Sequence, residues 1–281
     1  MQVNLLSNCL AADILNIFFK LFLFNNCALK GIGAMKTTNL LIINYLSFTL
    51  LSLSSCSAQT TKATGSGFAV VELFTSEGCS SCPKADALMP VLKNEFKSQV
   101  YVLSFHVDYW NRLGWKDQFS SSAYSNRQYK YAAVFRLQSV YTPQAVVNGS
   151  HQITGSDKAG LQHIIGSELG VTSPQKLQVV ARAVGTSGCS VTYNVPLKDN
   201  EELNIALVQL QATTQVEAGE NEGRTIKHEN VVRRFETVEN SKGIVNFNLP
   251  DDLRLSQCHV IVYIQQKDNM KITSVTELNI D

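Results

Sequence analysis

Hydrophobic and polar positions follow one rhythm up to residue 170 and another after it. Residues 68–74 are an apolar run of strand length interrupted only by Glu72. Over 84–96, Ala85, Leu88, Met89, Leu92 and Phe96 recur three and four apart, the spacing of one helix face, with Pro90 inside the pattern. Residues 100–107 are again largely apolar, as a central parallel strand buried on both faces must be. These three segments predict a βαβ unit. Tyr124, Gln128, Tyr131 and Phe135 then mark one face of a helix over 122–137 and leave Arg127 and Lys130 off it. Strands over 145–147 and 152–155 flank Asn148-Gly149, a two-residue hairpin signal, and Leu161, Ile164, Ile165 and Leu169 predict a closing helix over 157–169.

After Gly170 the helical spacing stops. Segments 177–184, 190–197, 203–211, 244–249, 260–265 and 272–280 are short, β-rich and separated by Gly, Pro, Asn and Asp, which predicts an antiparallel sandwich over 171–281. Cys189 and Cys258 each open one of these strands and form a candidate structural disulfide; two buried free thiols are the alternative. The long polar stretch 219–233 reads either as a loop reaching back toward the first half or as a β-hairpin with a solvated tip, and the hairpin is the expectation.

The chain ahead of residue 68 reads as targeting sequence. Residues 1–34 hold an interrupted apolar stretch around 14–24 and read as a non-native upstream extension. Starting at Met35 gives Lys36 as a positive flank, an apolar run over 40–53 and then small residues, the layout of a secretory signal over 35–56. Leu53-Ser54-Ser55-Cys56 resembles the lipobox of bacterial lipoproteins, which makes Cys56 the candidate lipidated residue; cleavage after Ala58 is the competing reading. Residues 57–67, rich in Ser, Thr and Gly, read as a flexible linker. The expected destination is the periplasm or cell envelope, with membrane contact only through the lipid anchor, and such a compartment is oxidising.

The chemistry concentrates where the first strand runs into Cys79-Ser80-Ser81-Cys82-Pro83. Cysteines at i and i+3 stack on one helical turn, and a helix N-terminus favours a thiolate at the first. Cys79 is therefore the candidate nucleophile and Cys82 the candidate resolving thiol, with Pro83 suited to a first turn where its missing N–H costs nothing. Half a zinc site and an inert bridge are the alternatives. No second Cys-x-x-Cys exists and the five histidines are dispersed, so no metal is expected. Glu72 is a candidate proton acceptor for Cys82, or a salt-bridged strand residue. His106 and Asp108, at a strand end, are expected to hold the following loop rather than tune the thiols. Trp110, with Tyr109 and Trp115, forms either a substrate-docking rim or a hydrophobic plug.

The run from Glu72 to Pro83, taken with His106-Val107-Asp108-Tyr109-Trp110, Leu113-Gly114-Trp115-Lys116-Asp117 and Tyr141-Thr142-Pro143-Gln144, resembles a secreted bacterial thioredoxin-like family of largely unassigned function. The stretch 219–233 resembles that family's second signature. The resemblance implies an α/β thioredoxin-like domain over 68–170 followed by an all-β sandwich-like domain over 171–281. It also implies a cis peptide before Pro143, opposite the cysteine pair, with Thr142 on the substrate side.

A formal charge of +1 and the absence of any basic run exclude a general electrostatic attraction to nucleic acid. The expected function is a cell-envelope thiol:disulfide oxidoreductase that needs no organic cofactor and takes protein thiols and disulfides, or an envelope redox partner, as substrates. The alternative is a non-catalytic binding or structural module with a stable disulfide.

Overall fold

The first strand, β1 (Ala69–Thr75), is buried along its whole length because its neighbours cover both faces. The computed structural model describes residues 67–171 and 177–281; the expected upstream extension and signal sequence, Cys56 and most of the expected linker lie outside the described residues. Val71 and Leu73 of β1 pack against Ala85, Leu88, Met89 and Leu92 of α1 (Cys82–Phe96) and against Leu161 and Ile165 of α3 (Lys158–Leu169). Val70 and Phe74, by strand alternation, face the other way, toward Tyr124 and Tyr131 of α2 (Ser122–Val134). The α1 helix runs through Pro90 without ending. β2 (Val100–His106) lies parallel to β1, and β3 (Gln144–Val147) and β4 (His151–Thr154) follow on the other side as an antiparallel hairpin. Asn148 and Gly149 supply the positive φ angles, 47° and 65°, of its turn.

The later strands are β5 (Gln178–Val184), β6 (Gly188–Asn194), β7 (Glu201–Gln215), β8 (Thr225–Val238), β9 (Lys242–Asn248), β10 (Cys258–Gln266) and β11 (Ile272–Asn279). Eight strands form one mixed sheet in the order β11-β10-β7-β8-β2-β1-β3-β4, and β5-β6-β9 form a second. This overturns the expected α/β thioredoxin-like domain followed by an all-β sandwich-like domain. The described body is mostly β-strand, and one sheet runs through both halves of the sequence. The joint is β8, antiparallel to β7 and parallel to β2 through Ser104 and Val231. β7 and β10 are apolar on both faces. Leu203, Ile205, Val260 and Val262 pack on the small sheet, while Ala206, Val208, Ile261 and Tyr263 join the core shared with β1, β2 and α2.

A buried ion pair of the first half, Glu72 and Arg127, is tied to the second through Tyr263 and Gln265 of β10. Glu72 Oε1 accepts from Arg127 Nε at 3.0 Å, from Arg127 Nη2 at 2.7 Å and from the Tyr263 hydroxyl at 2.7 Å. Arg127 also donates to Gln265, and its guanidinium lies over the rings of Phe105, Tyr131, Phe235 and Tyr263. Arg127 is thus on the buried face of α2, not off it, and a spacing of three from Tyr124 and four to Tyr131 puts it there.

Cys189 and Cys258 are buried free thiols, not the structural disulfide that was the leading expectation. Both sit in the apolar core between the sheets, where Cys258 donates to the Arg254 carbonyl. Burial pushes both thiols up to about 11, so they stay protonated and pack as small hydrophobes.

Removing Arg127 leaves Glu72 buried and uncompensated. Arg127→Met is expected to destabilise the protein by about 3–5 kcal/mol, read as a lower urea midpoint, and adding Glu72→Gln should recover part of that loss. A single-variant loss below about 1 kcal/mol would show that the pair does not hold the two halves together.

Candidate functional site

Chain direction builds the site: β1 delivers residues 76–81 at its carboxyl end, and α1 starts at Cys82 with Pro83 in its first turn. The Cys82 N–H donates to the Cys79 carbonyl at 3.2 Å, and the two sulfurs are bonded as a disulfide. The Ser81 hydroxyl is 3.3 Å from Cys79 Sγ. The Thr142-Pro143 peptide is cis, as the resemblance implied. Thr142 meets the motif through a hydrogen bond from Ser81 Oγ to its carbonyl at 3.5 Å, and its hydroxyl accepts from Trp110 Nε1 at 2.8 Å. A Cβ on Gly78 would lie 3.3 Å from Trp110 Cβ, so Trp110 packs closely against the loop that carries Cys79. Cys79, Cys82, Thr142, Pro143 and Trp110 are therefore brought together.

Trp115 donates to Glu77 Oε2 at 2.7 Å. Both indoles are partly buried and hydrogen-bonded, which is how plugs that pin the loop behave. Asp108 accepts from Ser125 and holds the start of α2, as expected of a loop-fixing residue. Glu72 does not face α1: its carboxylate is taken up by Arg127 and Tyr263 on the α2 side of β1.

On the α1 side lies a second buried charge cluster, drawn from five separate segments. His228 of β8 stands between Asp86 of α1, Nδ1 to Oδ1 3.3 Å, and Glu77 of the motif loop, Nε2 to Oε1 3.5 Å. Its ring meets that of His106 edge-on at 4.6 Å, and His106 Nδ1 is 2.7 Å from Asp117 Oδ2. Asp117 also accepts from the Glu77 and Phe119 N–H groups. Burial acts against the charged form of His228, but Asp86 and then Glu77 outweigh it and push the imidazole up to about 10. Burial would raise Asp117, yet His106 and the two N–H donors hold it below the usual carboxylate range. Glu77, Asp86, Asp117 and His228 were not foreseen as a set. Their only visible signal was polar residues at positions that had to be buried: Glu77 and Asp117 in the recognised motifs, and Asp86 one turn past Cys82.

The stretch 219–233 is the tip and returning strand of the β7–β8 hairpin, as expected, but the tip also reaches back to the cysteine motif. Asn221 is fully buried, and its amide donates to the Glu77 and Cys79 carbonyls, both at 2.8 Å. Glu220 accepts from the Ser80 N–H at 3.1 Å, and Arg224 Nη1 donates to the side-chain oxygen Oδ1 of Asn221 at 3.1 Å. Gly219 and Gly223 take positive φ at either end, 81° and 78°, and Gly219 packs on Trp115. With this segment in place Cys79 and Cys82 are both 0 % exposed.

The raised value of His228 carries a pH signature. Its charged form stabilises the fold fully below the ordinary histidine value of about 6.5, and that contribution is lost as pH rises toward about 10. The urea midpoint of the parent should therefore fall between these limits more steeply than that of His228→Gln. Parallel profiles would contradict a charged, buried His228.

A crystal structure of an Agrobacterium tumefaciens protein, solved as a structural-genomics target, is similar to this chain at 26 % identity and a TM-score of 0.58. The match covers 75 % of this chain and 93 % of that one. A domain of the outer membrane lipoprotein Omp28 from Porphyromonas gingivalis matches at 10 % identity and a TM-score of 0.24, over 38 % of this chain and 87 % of that one. No curated protein matches. A family model described as a protein of unknown function, DUF1223, matches residues 70–265, from the first strand through β10 and including the cysteine pair, His228 and the covering segment. The chain belongs to the DUF1223 family of proteins of unknown function.

Proposed function

We propose that the protein is a cell-envelope thiol:disulfide oxidoreductase whose redox centre is Cys79 and Cys82. The observation that carries this reading is the placement of the Cys79–Cys82 bridge at the start of α1, beside the Thr142-Pro143 peptide and within the motif loop of a buried charge cluster. Buried, mutually perturbed ionisable groups collect where chemistry needs them. The motif-level resemblance to thioredoxin-like proteins supports the same chemistry. In the reductive direction the Cys79 thiolate attacks a substrate disulfide, forming a mixed disulfide and releasing the first substrate thiolate. Cys82, once deprotonated, attacks Cys79 Sγ. The new bond closes the bridge, and the electron pair of the broken bond leaves on the second substrate thiolate, which takes up a proton. Oxidation of a substrate dithiol is the reverse.

Protein thiols and disulfides are the proposed substrates, with Thr142 beside the pair on the substrate side and held there by the Trp110 indole. Delivery to the envelope, with an anchor at Cys56, is part of the proposal. Among the described residues no helix is long and apolar enough to cross a membrane.

The burial of both sulfurs beneath Asn221 favours a second reading, a non-catalytic module with a stable disulfide. Trapping separates the two. With glutathione disulfide, Cys82→Ser should accumulate one glutathione adduct on Cys79, seen by intact mass, and Cys79→Ser should accumulate none. Absence of any adduct on the Cys82→Ser protein would favour the stable-disulfide module.

If the covering segment controls access, Asn221→Ala loses two hydrogen bonds worth about 0.5–1.5 kcal/mol each. Reduction of the bridge by a small dithiol should then accelerate about tenfold. An unchanged rate would show that the segment does not limit access.

A further inference from the structure

Four strands stand at sheet edges, β11 and β4 in the large sheet and β5 and β9 in the small one. An open edge is a template for another strand, and proteins blunt it with a short length, a charge, a bulge or a cover. β4 is only four residues long, and β11 carries Glu277 and shifts register against β10 at Ile264 and Gln265. Asp281 covers β5 by exchanging backbone hydrogen bonds with Ala181 and Ala183. β9 has no such device apart from Lys242 at its first position.

Hydrogen-bond parity shows which groups β9 leaves open. The Val195 N–H donates to the Ser241 carbonyl and the Leu249 N–H to that of Ser187, so in the antiparallel register with β6 the residues Gly243, Val245 and Phe247 turn their backbone groups toward β6. Lys242, Ile244, Asn246 and Asn248 then turn theirs away from it, and among the described residues no strand pairs with them. Their side chains share the outer face, where Ile244, 62 % exposed, continues a row with Thr192 of β6 and the half-exposed Val180 of β5. On the inner face Val245 packs at the margin of the core between the sheets and is only partly buried. β9 thus offers an open ladder with an apolar residue on each of its faces.

We propose that β9 pairs with β9 of a second copy of this chain, antiparallel about Val245, so that the two small sheets become one of six strands. In this register Lys242 lies opposite the partner's Asn248 and Ile244 opposite the partner's Asn246, and the outward groups of all four residues are used. Val245 meets its own counterpart at the two-fold axis, in the non-hydrogen-bonded kind of pair where side chains approach most closely, and each copy covers the other's open core margin. The two Ile244 side chains become diagonal neighbours on the outer face. Charge permits this pairing. The outer face of the three strands carries Arg182 and Lys242 and no carboxylate, yet the two Lys242 side chains stand six residues apart along the pair, about 20 Å, against a screening length of about 8 Å. A strand of another protein would have to bring its own apolar residue to Val245; a second copy brings it by symmetry. One strand pair buries less than the roughly 1,200 Å² of a standard interface, so the dimer is reversible. It does not depend on the chemistry of the cysteine pair.

The test is the oligomeric state of the full chain, purified in mild detergent and followed by sedimentation velocity from about 1 to 100 μM. The parent is expected to pass from monomer to dimer across that range. Asn246→Pro removes an outward N–H from each copy and no bond to β6, so it should weaken association at least about tenfold, the effect of two lost hydrogen bonds. Ile244→Lys, at an exposed position, should weaken it as much and decides the matter if the proline variant does not fold. Val180→Lys, on the same face but two strands from the axis, should leave the dimer intact. A parent that stays monomeric throughout, or a dimer indifferent to both β9 variants, would overturn the assignment. A benzophenone side chain introduced at Asn248 of the full chain in cells should cross-link two copies; an adduct with a different protein alone would give the edge to that partner's strand and overturn self-pairing.

Discussion

β8 lies between β7 and β2, antiparallel to the first and parallel to the second, and the site depends on that placement. A strand in that position continues the sheet from the C-terminal half into the half that carries the cysteines. It also carries His228 beneath the motif and holds the segment from Gly219 to Gly223 above it. Without β8 at this place the Glu77 and Asp86 carboxylates would share the interior with Asp117 and His106 only, and the cysteine pair would lie open. Ser104 and Asn230 reinforce the contact, the first donating to the Glu229 carbonyl at 2.7 Å and the second to that of Val102 at 2.9 Å.

Two buried charge clusters flank β1, and their bonding differs in kind. On the α2 side Arg127 is surrounded by acceptors and aromatic faces, and Glu72 Oε2 is the atom of that cluster left without a hydrogen bond. Desolvating such a pair is costly, so its role is to fix which surfaces meet rather than to add much net stability. On the α1 side the ionic contacts are longer and several polar atoms lack hydrogen bonds. Incomplete satisfaction at a buried site is where a protein keeps groups available for chemistry. Cys82 opens the helix that carries this second cluster.

Local elements were legible in the sequence because their determinants are local. Helical spacing marked α1 and α3, the Asn148-Gly149 pair marked its hairpin, and the Cys-x-x-Cys motif with Thr142-Pro143 marked the centre of the site. The architecture was not legible. Whether β8 pairs only with β7 or also with β2 depends on which sheet edge is free, and no periodicity encodes that. Apolar residues on both faces of β7 and β10 fit a sandwich strand as well as a strand shared between two cores. Arg127 was misplaced because a charged residue on a helical face reads as solvated until its buried partner is known, and Glu72 was read without that partner. His228, 146 residues from Cys82 in sequence, could be joined to the site only through the sheet.

The proposed chemistry requires the Cys79–Cys82 bridge to be reversible. A redox titration of the purified chain from Gly67 onward, equilibrated in graded thiol buffers and read by alkylation, intact mass and site mapping, tests this most directly. Cys79 and Cys82 are expected to gain and lose two labels together at a potential between about −270 and −120 mV, the range spanned by catalytic dithiols. Cys189 and Cys258 should contribute no disulfide at any potential. A Cys79–Cys82 bridge that stays oxidised below about −300 mV would contradict the proposed redox role and mark the bridge as a structural disulfide.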